Sequence, residues 1–274
     1  MRRGALGPGP EGARVKPLQR GGLVARLAEG PEDMRHVLAF RRAAFPRLDG
    51  LPEEDAQDAL SAHVMVERAA GGGLLASFRV MLFGWGAGLA QGYAARFYDV
   101  APLEGYAKPI AEMGRFCLAP GGVHPDVLRL AWGAMTRLVD DGQAGLMVGC
   151  TSFRGADWHR HRAALALLAA VHVGPAAHLP GRKAAEVVDY PALAGPMTDR
   201  RAALAGMPPL LRTYLAMGGW VSDHAVIDRG LDTLHVFTCV EVDQVPPARA
   251  ASLRMIARSS PGGPGEGGAS ESGA

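Results

Sequence analysis

Cysteine is scarce in this chain of 274 residues: only Cys117, Cys150 and Cys239 occur. They lie far apart in apolar surroundings, without C-x-x-C spacing. Three cannot all pair with one another, so they read as buried, reduced thiols of a cytoplasmic protein. Charge is thin as well. Charged residues make up 20% of the chain and the formal net charge is +2, against about 25% charged in an average protein. That balance offers no footing for nucleic acid. No apolar run is long enough to span a bilayer; the longest lies around Ala163 to Val173. The Arg-rich first residues carry no apolar signal core. There is no internal repeat and no dense glycine pattern of a nucleotide phosphate loop. His159 and His161 are two apart, whereas helical metal ligands favour i,i+4, and no second cluster accompanies them. No metal site is expected.

What is present is enough chain for one large domain. Residues 1–22 are rich in Gly, Pro and Arg and read as a flexible basic arm. Residues 259–274, all small or polar apart from Pro, read as a disordered tail. Residues 23–245 form the domain. Leu23 to Ala28 reads as a strand. Pro31 opens a helix in which Met34, Val37, Leu38 and Arg41 share a face, with Phe45 one turn on and Pro46 as the stop. Leu51 to Ser61 is acidic and polar, with Asp55 and Asp58. His63 to Glu67 and Leu74 to Phe83 read as a hairpin around Gly71-Gly-Gly73. Gln91 to Tyr98 is a weaker strand. The clearest helix runs from Pro125 to about Asp140, and Leu146 to Cys150 is a buried strand. A helix follows over about Asp157 to Val171, then an irregular stretch from Gly174 to Pro196. Leu204 to Met217 is helical beyond Pro208-Pro209, and Trp220 to Ile227 and Thr233 to Val242 are late strands. This order predicts an α/β (α+β) domain, a mixed sheet with helices on both faces.

The stretch Ile110 to Leu118 stands out, because an apolar strand there carries Glu112 and Arg115. Buried charge needs a partner or a task. On alternation Glu112 and Arg115 point to opposite faces; a bulge at Gly114 would bring them into one cleft. A core Glu–Arg pair and a general base of raised proton affinity both remain open. Gly121-Gly122, with His124 at the cap, leads into the Pro125 helix as a simple turn or a weak anion site. Trp158-His-Arg-His-Arg162 is a basic patch, either solvated or a dock for an acidic carrier. Asp223 and Asp228 flank a strand and read as turn residues or as a site for a cationic substrate.

Three blocks together resemble a known family. They are Glu112-Met-Gly-Arg-Phe-Cys-Leu-Ala-Pro120, Val148-Gly-Cys-Thr-Ser-Phe153, and the Pro208-Pro-Leu-Leu211 block ending in Trp220-Val-Ser-Asp-His-Ala-Val-Ile-Asp228. They resemble the ornithine lipid N-acyltransferases, GNAT-like enzymes related to acyl-homoserine lactone synthases. The likeness covers about Leu23 to Val245. It implies a GNAT-like, largely antiparallel mixed sheet flanked by helices. It implies transfer of a 3-hydroxyacyl chain from acyl carrier protein, as a phosphopantetheine thioester, to the α-amine of ornithine, with no bound cofactor. The product is lyso-ornithine lipid, the first step of ornithine lipid synthesis. Its amphipathic character implies contact with the inner face of the cytoplasmic membrane.

Residue by residue, Arg41 and Phe45 match an Arg-x-x-x-Phe helix, and Arg79 matches a third-strand arginine. Glu112 and Arg115 match a Glu-x-x-Arg pair. Asp58 and His63 match parts of an Asp-x-x-x-Asp-His segment in which Ala62 replaces the second acid. The resemblance implies Glu112 as base, Arg115 beside it, and Arg41, Arg79 and Asp58 around the acceptor. It sets Phe153 at the acyl channel and Arg129, Arg160 and Arg162 at the carrier. The arginine–glycine phosphate loop of acetyl-CoA users is not recognisable before Pro125, in keeping with a carrier-bound donor. Rival readings are a lactone synthase using S-adenosylmethionine, an acyltransferase for another amino acid, and a silent carrier- or lipid-binding regulator.

Overall fold

The computed structural model describes residues 16–45, 47–120, 125–193 and 200–258. Pro46, the Gly121-Gly122 turn with His124, the first fifteen residues of the expected arm and the expected tail lie outside the described residues.

In chain order the strands are β1 (Leu18–Arg20), β2 (Leu23–Leu27), β3 (Ala62–Arg68), β4 (Leu74–Phe83), β5 (Tyr98–Asp99) and β6 (Ile110–Leu118). They continue with β7 (Leu146–Arg154), β8 (Gly181–Arg182), β9 (Val187–Asp189), β10 (Trp220–Val221), β11 (His224–Asp228) and β12 (Thr233–Glu241). The helices are α1 (Gly30–Ala44), α2 (Pro125–Asp141), α3 (Arg162–Val171), α4 (Arg200–Ala205), α5 (Pro209–Ala216) and α6 (Pro247–Ala257). One sheet runs β1-β2-β3-β4-β6-β7-β12-β11-β9, with β10 added to β12. Among the described strands only β6 and β7 pair in parallel. The chain between them contains α2, as a parallel crossover requires.

Helices cover both faces. The α2 side buries Val127, Leu130, Ala134 and Leu138 against Val64, Val66, Ala76, Phe78 and Val80. That 3.6-residue spacing meeting two-residue alternation makes the main core. On the opposite face α1 sends Arg41 to His63, the strand neighbour of Val64. α1 starts with Pro31 in its first turn, carries Glu32 and Asp33 there, and ends on Arg41 and Arg42, all matched to the helix dipole.

Several expectations need correction. Gln91 to Tyr98 is not a third strand. It is made of 3-10 turns at Gly86–Gln91 and Ala94–Arg96, and only Tyr98 enters a short ladder with β8. The backbone N–H groups of Tyr93 and Ala94 are taken by a side chain described below, and those of Gly92, Arg96 and Phe97 by carbonyls within the turns, which removes them from any ladder. Leu18–Arg20, at the end of the expected arm, pairs with β2. Trp220 to Ile227 breaks into β10 and β11 at Ser222-Asp223, where the Ser222 hydroxyl donates to the carbonyl of His224 at 2.7 Å. The helix expected from Asp157 starts as a 3-10 turn, Trp158–His161. The irregular stretch from Gly174 holds β8 and β9. α6 follows the expected domain end and packs on α2; its apolar periodicity is too weak to announce it.

Candidate active site

The site begins with a register shift. Ser77 faces Cys117 and Arg79 faces Gly114, so β6 uses three steps where β4 uses two. The extra residue falls at Arg115–Phe116, a β-bulge. Arg115 has φ of 55°, in the left-handed region, which costs a non-glycine residue roughly 1–2 kcal/mol. The bulge turns Arg115 onto the same side as Arg79, where both meet Asp55.

Three arginines, Arg41 and Arg79 fully buried and Arg115 partly so, converge there on two aspartates. Arg79 pairs with both Asp55 oxygens, through Nη1 and at 3.1 Å through Nη2, and its Nη1 also reaches Asp58 Oδ1 at 2.7 Å. Arg115 Nη2 donates to Asp55 Oδ2 at 2.9 Å. Arg41 Nη1 donates to Asp58 Oδ1 at 2.7 Å, and its Nη2 approaches His63 Nδ1 at 2.9 Å. His63 Nε2 lies 3.0 Å from the Asp58 carbonyl oxygen. Donation to that carbonyl leaves Nδ1 as acceptor for Arg41, so the ring is a neutral Nε2–H tautomer. Burial lowers its pKa, with Arg41 adding to the effect. Burial alone would raise the aspartates. The arginines overcome it, and Asp55 ends at about 2.

Among the described residues Glu112 pairs with neither Arg115 nor any other arginine. It is 1% exposed. Its Oε2 accepts from the Tyr93 backbone N–H at 3.0 Å and its Oε1 from that of Ala94 at 2.7 Å. Gly92 lies so close that a Cβ there would overlap Oε2. Burial raises the Glu112 pKa to about 7, against the two backbone bonds and the more distant Arg79, which pull it down. The core ion pair is therefore absent, and the residue is a carboxyl poised near neutrality. The Tyr93 ring joins the two halves of the site, with the guanidiniums of Arg115 and Arg79 at 5.3 and 5.7 Å from its centre.

Beside Glu112 the parallel ladder ends. β6 and β7 pair from Ile110–Leu146 to Met113–Gly149, then both continue for five residues without pairing to each other. Gly149 marks the last close approach, since a Cβ there would lie 2.5 Å from the Met113 carbonyl oxygen. Glu112 and the bulge thus stand where two strands part.

Arg41, Asp58, His63, Arg79 and Arg115 are brought together, with Glu112 alongside. Phe45 caps α1, donating its N–H to the Arg41 carbonyl. Phe153 is buried with Leu165, Leu168 and Val236 in the core beneath α3. By strand alternation it lies on the sheet face opposite Val148, the ladder partner of Glu112. Asp223 binds His224 Nδ1 at 2.7 Å, and no contact links it to the arginine cluster among the described residues. Arg129 pairs with Asp126 at 2.9 Å, and Arg160 and Arg162 are exposed. Ala62 lines a hollow of about 340 Å³ with Met34, Glu54, Asp58, Ser61 and His63. The three cysteines are free. Sequence reasoning missed Asp55 as the hub of the cluster, Tyr93 and Glu53. Asp55 stands three residues before Asp58 in an acidic loop, which was the available signal. Tyr93 lay in a segment misread as strand.

A family model described as an acetyltransferase (GNAT) domain matches residues 35–133. That span contains every member of the arginine cluster and Glu112. The domain is of the GNAT type. The L-ornithine N(alpha)-acyltransferase of Rhodobacter capsulatus is 29% identical over 168 residues, covering 61% of this chain and 64% of the relative. That of Brucella abortus is 29% identical over 161 residues, covering 56% and 55%. The chain thus resembles the L-ornithine N(alpha)-acyltransferases while spanning less than two thirds of their length. A solved structure, FeeM, an N-acyl amino acid synthase from uncultured soil microbes, aligns over 82% of this chain and 97% of its own. Its identity is 10% and its TM-score 0.48. No helix among the described residues is long and apolar enough to cross a membrane.

Proposed function

We propose that this GNAT-type domain moves a 3-hydroxyacyl chain from the thioester of an acyl carrier protein to the α-amine of ornithine, giving lyso-ornithine lipid. The observation that carries the proposal is Glu112: a fully buried carboxyl poised near pH 7, beside a bulge and three arginines, where β6 and β7 part. The names of the relatives supply the acceptor.

An ammonium cannot attack a thioester. The acceptor must first lose a proton, and Glu112 takes it through a water molecule, since the loop at Gly92 to Ala94 covers the carboxyl. Nitrogen then bonds to the carbonyl carbon, and backbone N–H groups at the Gly114 to Phe116 bulge stabilise the oxyanion. The C–S bond breaks, the second amine proton leaves, and the departing thiolate is protonated to the pantetheine thiol. Arg115, Arg79 and Arg41 order the acidic loop and supply positive potential for the acceptor carboxylate. Carrier docking suits Arg129, which follows β6, and Arg160 and Arg162, which follow β7, because both sets flank the open end of the ladder. The amphipathic product would be released at a membrane surface.

The test is purified protein with 3-hydroxyacyl carrier protein and a panel of amines: ornithine, lysine, glutamine and S-adenosylmethionine. Nα-acylornithine as the main product is expected. A lactone product, or no N-acyl product with any amine, would refute the proposal.

A further inference from the structure

One charged group near the site has no counterpart. Glu53 is 5% exposed, and neither of its carboxyl oxygens receives a hydrogen bond among the described residues. A buried carboxylate without donors is costly, and natural proteins rarely leave one so. It lies in the field of Arg115, Arg41 and Arg47, yet pairs with none of them. Arg115 has an open donor of its own: its Nη2 is committed to Asp55, but its buried Nε–H has no acceptor among the described residues. The Nε–H groups of Arg41 and Arg79 likewise have no acceptor among the described residues, while the Nη groups of both are matched through Asp55, Asp58 and His63. What is left over is one anion, Glu53, and three guanidinium Nε–H donors, and of those three arginines Arg115 is the one whose charge acts most on Glu53.

We propose that Glu53 receives the side-chain ammonium of a diamino acid acceptor and that the Arg115 Nε–H faces the same molecule's carboxylate. This assigns acceptor specificity to the segment before Asp55, and it rests on the transferase reading given above. The position suits the role. Asp55, two residues on, fastens this segment to Arg79 and to the bulged strand that carries Glu112. The preceding residues are held lightly, with Leu48 N–H on the Gly230 carbonyl at 2.8 Å and Leu51 N–H on Asp49 at 3.1 Å, while Leu48 and Leu51 are exposed. That part of the loop can lift to admit a small zwitterion and settle over it. Both ends of the acceptor would then be fixed while its α-amine stays free to react. Burial raises the Glu53 pKa, so an arriving cation also favours its charged form.

The test compares ornithine with 2-aminopentanoate, which has the same carbon skeleton and no side-chain amine. In the wild-type chain ornithine should be preferred. In Glu53→Gln the KM for ornithine should rise by roughly 10- to 100-fold, the loss expected for a hydrogen bond to a charged group. Its kcat, and both constants for 2-aminopentanoate, should hold. Calorimetry of the two amino acids without acyl donor gives a second readout. Binding that discriminates through Glu53 would stand even if wild-type protein formed no acyl product, an outcome that refutes the transferase reading alone. Equal binding of the two by wild-type protein, or an undiminished preference in Glu53→Gln, overturns the inference. Should Glu53→Gln not fold, Glu53→Asp decides. A preference that shrinks on the shorter arm upholds the inference, and an unchanged one refutes it.

Discussion

Replacing Glu112 by Gln separates its chemical role from its structural one. The folded-state pKa is about 7 against an ordinary 4.5, because burial outweighs the two backbone bonds. The folded protein therefore holds this proton to higher pH than the unfolded chain does. Its contribution to stability is full below about pH 4.5, declines between 4.5 and 7, and above that is lower by about 3 kcal/mol, at 1.36 kcal/mol per unit. Gln cannot ionise, so this slope vanishes. It brings its own cost, since its NH2 group opposes one of the two backbone N–H donors at Tyr93 and Ala94. An orphaned donor costs about 1–3 kcal/mol. Relative to wild type, the variant should be less stable at pH 5 and should recover most of the deficit by pH 8. Urea melts at several pH values measure this. In acyl transfer the wild-type rate should climb roughly tenfold from pH 6 to 8 through this group, the change in ionised fraction across a pKa of about 7. Glu112→Gln should lose that limb and about 10²- to 10⁴-fold in rate, keeping only the titration of the amine itself. A variant with full activity and an unchanged acid limb would remove Glu112 as the base. An unchanged stability slope would refute the raised pKa.

Three further outcomes follow from the geometry. Asp55→Ala leaves Arg79 and Arg115 buried beside a vacancy and should cost about 3–5 kcal/mol in a denaturant melt; a loss under 1 kcal/mol would mean that the cluster does not depend on this hub. Because Arg79 and Arg115 hold Asp55 at about 2 against its burial, its stabilisation should be present above pH 4 and fade between about 4 and 2. Asp55→Asn should flatten that part of the acid denaturation curve. Gly92→Ala has no φ strain, since Gly92 sits at −71°, so its effect comes from the Cβ, which would overlap Glu112 Oε2 and press on the Leu89 carbonyl oxygen at 3.0 Å. Lower activity and a displaced Glu112 pH limb are expected; a wild-type profile would show that the loop yields freely.

Much of the frame was legible in the residues. The spacing of α2, the apolar run of β7 and the hairpin of β3 and β4 are local signals, because burying one face imposes a period that any stretch must display by itself. The Glu112–Arg115 strand also announced itself, since buried charge in an apolar run is costly. Other features had no local signal. Gln91 to Tyr98 has strand-like composition, but its backbone is drawn off the sheet by a carboxylate eighteen residues and more away. α6 packs on α2 without a strong period of its own.

For the site, the sequence by itself determined which groups exist: a lone acid in a strand, Arg41 on an inward helical face, and an acidic loop of Asp55 and Asp58. Only the tertiary structure decided how they pair. It took Glu112 away from Arg115 and gave it to the N–H groups of Tyr93 and Ala94. The bulge at Arg115 turned that arginine to Asp55, and Glu53 is left buried with no donor among the described residues. The reason is physical. Alternation and periodicity state which side a residue takes, but a one-residue register shift reverses the side. The charges compete for partners brought from α1, β4, β6 and the loop between α1 and β3, elements that meet only when the sheet is assembled.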